Sequence, residues 1–226
     1  MSTHFASDTV LYIAEGSGWA GVRDGSSSNA VEDPDSETFA LYTAYTAGRG
    51  DPTFYNRRLA FNFDLSGETG GTVVAASFFF YCDLAQYTQG TDARVVASDV
   101  TNFSGITADY NNLDFTEPFS NAVTLSTTMG YQEFALNSDA LTRINIKAGV
   151  GDFQLMLIEN DHDFADTTPT EDEYFRVIGY LEPYGNASNN ISRDPKLVLT
   201  FEQPIEVNPI KINGGLIVKG GNFKIK

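Results

Sequence analysis

The chain has 226 residues, 42% hydrophobic and 13% aromatic, enough to bury a sizeable core in one large domain or two small ones. Its 30 acids against 14 lysines and arginines give a net charge of −16. That argues against nucleic-acid binding, which needs clustered cations. No apolar run approaches the roughly 18 residues of a membrane span, the first residues lack a signal-peptide pattern, and the single Cys82 excludes an internal disulfide framework.

Alternation of apolar and polar residues dominates the chain and predicts strands. TVLYIA (9–14) and TFALYTAY (38–45) come first. RLAFNFDL (58–65) is the clearest. Leu59, Phe61, Phe63 and Leu65 point one way, predicted as core. Arg58, Ala60, Asn62 and Asp64 point the other, predicted as a wet face. After the turn SGETGG, VVAASFFFYC (73–82) alternates Phe78, Phe80 and Cys82 with Phe79 and Tyr81, which predicts cover on both faces and a buried thiol. ARVVASDV (93–100), AVTLS (122–126) and YQEFAL (131–136) continue the pattern.

Asn137 or Ser138 can N-cap a short helix over DALTRI. Asp139 would sit in its first turn, Leu141 and Ile144 on its inner face, and Gly149 and Gly151 past its end. Three more strands come after it: DFQLMLIE (152–159), EYFRVIGYLE (173–182) and KLVLTFE (196–202). About ten strands separated by Gly, Pro, Asn and Asp clusters predict an all-β protein, a jelly-roll β-sandwich with one short helix. Two acidic stretches, 15–37 and 159–173, are predicted as long loops.

The sandwich domain is expected over 1–203, with a Pro-bracketed C-terminal segment at 204–226. From Val207 onward the chain reads VNPIKINGGLIVKGGNFKIK, with Lys211, Lys219, Lys224 and Lys226 and no acid. Everything before it holds all 30 acids against 10 of the 14 basic residues, a charge of −20 against +4 for the tail. Ile212, Leu216, Ile217 and Phe223 supply apolar positions, and Asn213-Gly214 and Gly220-Gly221 are tight-turn pairs. Such a β-ribbon buries little by itself, so an assembly role is expected, with other subunits or copies of itself as partners and a homo-oligomer as the product.

Several segments resemble the DNRLRE-type domain, a jelly-roll sandwich of surface and virion proteins. They are Arg58-Leu59-Ala60-Phe61-Asn62-Phe63-Asp64-Leu65 with the next strand 75–81, Tyr131–Phe134 with the helix and Gly151–Leu155, and Asp194-Pro195-Lys196-Leu197-Val198-Leu199-Thr200-Phe201. The chain departs from that pattern where Tyr131 stands in place of a tryptophan and Asp194 in place of an arginine. The resemblance covers roughly 20–203. It implies a non-catalytic sandwich and carries over no active site. Without a leader, a chain made in a host cytoplasm and released in a virion is the expected setting.

Motifs for chemistry are sparse. With two histidines, His4 and His162, and no G-x-S-x-G, a Ser-His-Asp triad has little to build on. His4, near the terminus, is expected to fray. One cysteine and two distant histidines cannot close a zinc site. Glu159, Asp161, Asp163 and Asp166, in ENDHDFAD, could gather oxygens around calcium, or form a solvated acidic loop. Paired carboxylates of a glycosidase are expected by chance among so many acids, so no enzyme is inferred. Trp19, in the loop GSGWAG, either stacks on a surface glycan or plugs the open end of the sandwich, and Tyr110, Tyr174 and Tyr184 near strand ends are further aromatics for a carbohydrate-binding surface. Asn102, Asn186 and Asn190 head glycosylation sequons that mean little without export.

Overall fold

A computed structural model describes residues 1–26, 28–32, 39–47, 52–87, 92–100, 103, 107–171, 173–179 and 193–202. Among them run thirteen strands. The first group is β1 (Ser2–Phe5), β2 (Asp8–Gly16), β3 (Ala30–Glu32), β4 (Phe39–Thr46), β5 (Thr53–Asp64), β6 (Val73–Tyr87) and β7 (Asp92–Ser98). The second is β8 (Leu113–Pro118), β9 (Val123–Thr124), β10 (Gly130–Ala135), β11 (Asp152–Glu159), β12 (Tyr174–Gly179) and β13 (Lys196–Phe201). Two short helices join them, α1 (Trp19–Arg23) and α2 (Ser138–Lys147).

The strands form two antiparallel sheets packed face to face, the all-β sandwich expected from the alternation. In one sheet β6 lies between β10 and β13, and β13 also pairs β1. In the other β5 lies between β2 and β11, and β11 also pairs β7. The two longest strands bind the sheets together: β12 pairs the C-terminal half of β6 and also β4, which pairs the N-terminal half of β5. Phe61 and Phe63 on β5 meet Phe78 and Phe80 on β6, with Phe61 and Phe78 ring centroids 5.0 Å apart. This is the main core, and Cys82 is buried in it as a free thiol.

Helix α2 forms where local chemistry predicted it. Asn137 Oδ1 accepts from the N–H groups of Asp139 and Ala140 at 3.0 and 3.1 Å, satisfying donors that a helix start leaves open. Ile144 is buried, Leu141 packs against the core, and Gly149 takes a positive φ of 75° beyond the last turn. On the next strand, β11, Phe153 stacks on Phe119.

One expectation is overturned. The face of β5 carrying Arg58, Ala60 and Asn62 is not wet: Arg58 and Ala60 are fully buried and Asn62 is 6% exposed. A second apolar layer covers the outer face of the β2–β5–β11–β7 sheet. It is built from Val10, Tyr12, Val96, Tyr110, Met156 and Ile158, with Trp19 and Val22 of α1 above them. The stretches read as plain loops supply its roof, with α1 within 15–37 and a π-helical turn, Asn160–Phe164, within 159–173, while β3 extends the sheet beside β2. A 3-10 turn, Thr107–Asn111, completes the roof.

Candidate functional site

The densest polar arrangement lies under that roof. Arg58, on the central strand β5, points into the second layer, where its guanidinium is fully buried beside the equally buried Asp163. Nε and Nη2 donate to the two carboxylate oxygens of Asp163 at 2.8 and 2.7 Å. Nη2 also donates to the Arg23 carbonyl at 2.7 Å, and Nη1 to the Tyr110 carbonyl and to Asn111 Oδ1, both at 3.0 Å. All five N–H groups of the side chain are thereby used. The guanidinium also lies 4.1 Å from the Tyr110 ring centroid, a cation–π contact of the kind that gains strength when desolvated. Burial alone would lower the Arg58 pKa, but Asp163 and Tyr110 outweigh it and raise it.

One side chain therefore ties three separate roof elements to the sheet: the end of α1, the 3-10 turn and the π-helical turn. A second tier reinforces it. Tyr110 Oη donates to the Val22 carbonyl at 2.7 Å and accepts from Asn56 Nδ2 at 3.0 Å. Arg23 Nε donates to the Asp163 carbonyl at 2.6 Å, and its guanidinium lies 4.2 Å from the Phe115 ring. Arg94 lies 4.0 Å from the Phe164 ring and donates to Asn160 Oδ1.

This network accounts for the residues that suggested calcium. Glu159 is fully buried, and its oxygens accept from the backbone N–H groups of Asp161, His162 and Asp163 at 2.6, 2.7 and 2.9 Å. It caps the π-helical turn from within. Asp163 is spent on Arg58. Asp161 accepts from Asn160 Nδ2, and Asp166 stands outside, 3.6 Å from Arg23 Nε. The four side chains do not converge, so the alternating acids build a turn rather than a cation cage. Among the described residues, no three His, Cys, Asp or Glu side chains come together as a metal-binding group.

Trp19 is 5% exposed and packs on Phe54 in the second layer, so its ring offers no face to a sugar; it roofs the sheet. Tyr110 is fully buried. Tyr184 and the tail residues Lys211, Ile212, Leu216, Ile217, Lys219, Phe223, Lys224 and Lys226 lie outside the described residues. The aromatic surface sits elsewhere, on the outer face of β6 and β10. There Tyr131 packs edge-on against Phe79 and Tyr81, and Lys196 Nζ lies 3.9 Å from the Tyr131 ring.

His4 does not fray. On edge strand β1 its Nε2 lies 2.9 Å from Glu68 Oε2, and Ser2 Oγ donates to the same carboxylate oxygen at 2.7 Å. Serine, histidine and glutamate meet here, but not as a relay, because the acid contacts the ring nitrogen that a serine would need. Burial pushes the Glu68 carboxyl up, yet hydrogen bonds from Ser2, His4 and Gly70 prevail and hold it below its usual range. Stability from a depressed carboxyl is present above its unfolded pKa and is lost as pH falls through the folded one. Wild type is thus expected to exceed Glu68→Gln by about 1 kcal/mol at neutral pH, with the gap closing below about pH 4 in urea titrations.

The sequence reading missed Arg58, Arg23 and Tyr110 as a unit. A signal was present in β2: Val10, Tyr12 and Ala14 alternate with Thr9, Leu11 and Ile13, leaving few charges on either face. A strand so apolar is covered on both sides, and so is the face of its neighbour β5. No known family model and no curated protein matches the chain.

Proposed function

We propose that the chain is a non-catalytic structural protein of a phage virion, a capsid decoration, fibre or tail-associated module, assembled through its C-terminal segment. The observation that carries this is the position of the last described strand relative to the charge. Strand β13 is flanked by β1 and β6, so the last described strand is an internal one and the sheet needs no ribbon beyond it. The segment past β13 holds four lysines, and Val207 onward holds no acid. A body of opposite charge, on a neighbouring copy or another virion subunit, complements it. Strand addition would supply main-chain hydrogen bonds, Ile212, Leu216, Ile217 and Phe223 the apolar contacts, and the lysines a salt-sensitive attraction. The resemblance to the DNRLRE-type jelly roll points the same way, and the buried arginine network supports a rigid scaffold, since its polar groups are directed inward.

Deleting 207–226 is expected to leave a soluble body with a cooperative melt that no longer enters particles or higher oligomers. Normal incorporation of this truncation, measured by co-sedimentation with particles, would sink the proposal.

A further inference from the structure

We propose that the outer face of the β10–β6–β13–β1 sheet is the contact surface of a weak two-fold homodimer, in which Glu133 of each copy meets Lys196 of the other. This surface is separate from the C-terminal segment, and the inference does not rest on the assembly reading.

The registers fix the layout. Glu133 on β10 and Lys196 on β13 both lie opposite Phe79 on β6, and Phe5 on β1 lies opposite Lys196. Their strand neighbours Phe78, Phe80, Phe134 and Leu197 are buried in the main core, so these side chains point outward. The row across the face therefore runs Glu133, Phe79, Lys196, Phe5, and the pair Tyr131 and Tyr81 occupies the next row. Phe5, Phe79, Tyr131 and Lys196 are partly exposed and Glu133 is exposed. The opposite sheet buries its outer aromatics under a roof of the same chain, whereas these rings remain partly in water.

Charge selects the occupant. Neighbouring strands lie about 4.8 Å apart, which puts Glu133 and Lys196 roughly 10 Å from each other, on either side of Phe79 and too far apart to pair. Among the described residues neither forms an ion pair. Each is held along the face instead. Glu133 Oε1 accepts from Ser77 Oγ at 2.8 Å, and Lys196 Nζ lies 3.9 and 5.4 Å from the Tyr131 and Phe79 ring centroids. A two-fold axis running along β6 above Phe79 exchanges the two sides of that row. It sets the acid of one copy over the lysine of the other, twice, and places Phe79 and Tyr81 against their own counterparts. That is the self-complementarity an isologous interface requires, in a chain whose net charge of −16 otherwise drives copies apart. Four strands side by side, each up to about 20 Å long, give a face of roughly 400 Å² per copy. A standard stable interface uses about 800 Å² per partner, so this dimer belongs to the weak class.

The test is a charge exchange in the full chain, read by sedimentation velocity at low salt. Wild type is expected to dimerise with a Kd of about 10–100 µM. Glu133→Lys alone and Lys196→Glu alone each set like charges opposite one another, and each should dimerise at least about tenfold more weakly. Mixed in equal amounts, the two variants are expected to regain wild-type affinity, because both contacts between them then join opposite charges. The double variant Glu133→Lys/Lys196→Glu should regain it by itself. The mixture carries the same substitutions as the weakened proteins, so its recovery excludes misfolding as the cause. A mixture no tighter than its components, or single variants that dimerise as wild type does, would overturn the interface. A wild type still monomeric at about 500 µM would overturn it too, and would give the face to a different partner. Association through the C-terminal segment leaves all these proteins alike, so its success or failure is read separately.

Discussion

Arg58→Met is expected to bring the protein close to unfolding under otherwise native conditions. The substitution keeps much of the side-chain volume but removes all five donors. It leaves Asp163 buried without its counter-charge and strips the Arg23 and Tyr110 carbonyls of a partner. Breaking one side of a buried ion pair costs about 3–5 kcal/mol, a large part of a net stability of roughly 5–15 kcal/mol. Arg58→Lys should fare little better, since an ammonium cannot present two parallel N–H groups to Asp163 while reaching three other acceptors. The double variant Arg58→Met/Asp163→Leu is the informative control. Removing both charges relieves the unpaired carboxylate, so it should recover about 1–3 kcal/mol over Arg58→Met. Chemical denaturation of wild type, Arg58→Met, Asp163→Leu and the double variant closes the cycle. A single variant within about 1 kcal/mol of wild type would show that the roof is held by its apolar contacts instead.

The same pair marks where sequence reading stopped. What depended on neighbours along the chain was legible. Asn137 caps α2 because its side chain reaches N–H groups two and three residues on, and the period-2 pattern of β5, β6 and β11 comes from the pleat alone. Which faces would be covered depended on distant segments. Arg58 and Asp163 are 105 residues apart, and the roof over them comes from a five-residue helix and two single turns, too short to show a period. An arginine opposite leucine and phenylalanine in an alternating strand therefore reads as solvent-facing until its partner is known. The run Glu159–Asp166 stayed ambiguous for a related reason. Acids at alternate positions suit a cation loop, and they suit equally a turn in which one acid caps backbone and another grips an arginine. Only the third dimension separates these uses. The basic tail was legible as composition, and its contact rests on experiment.

Glu159 offers the second large effect, and one with a pH signature. Its carboxyl is pushed up to about 7, chiefly by burial, against the pull of three backbone N–H donors. In Glu159→Gln an amide N–H₂ replaces one acceptor and faces a backbone donor, leaving at least one buried N–H unsatisfied at a cost of about 1–3 kcal/mol. The wild-type carboxyl adds a term that the amide lacks. In the unfolded chain it ionises near the ordinary glutamate value of about 4.3, whereas the folded protein retains the proton until about pH 7. Between those values the folded state binds more protons, so this group's contribution to stability falls as pH rises. The change amounts to about 2–3 kcal/mol across the window. The difference in unfolding free energy between wild type and Glu159→Gln should therefore shrink from about pH 5 to about pH 8, whereas carboxyls held below their usual range, such as Glu68, act only at lower pH. A difference that stays flat between those pH values would mean that the three N–H donors keep Glu159 ionised throughout, and that the turn holding Asp163 against Arg58 is fixed by a carboxylate at every pH where the protein folds.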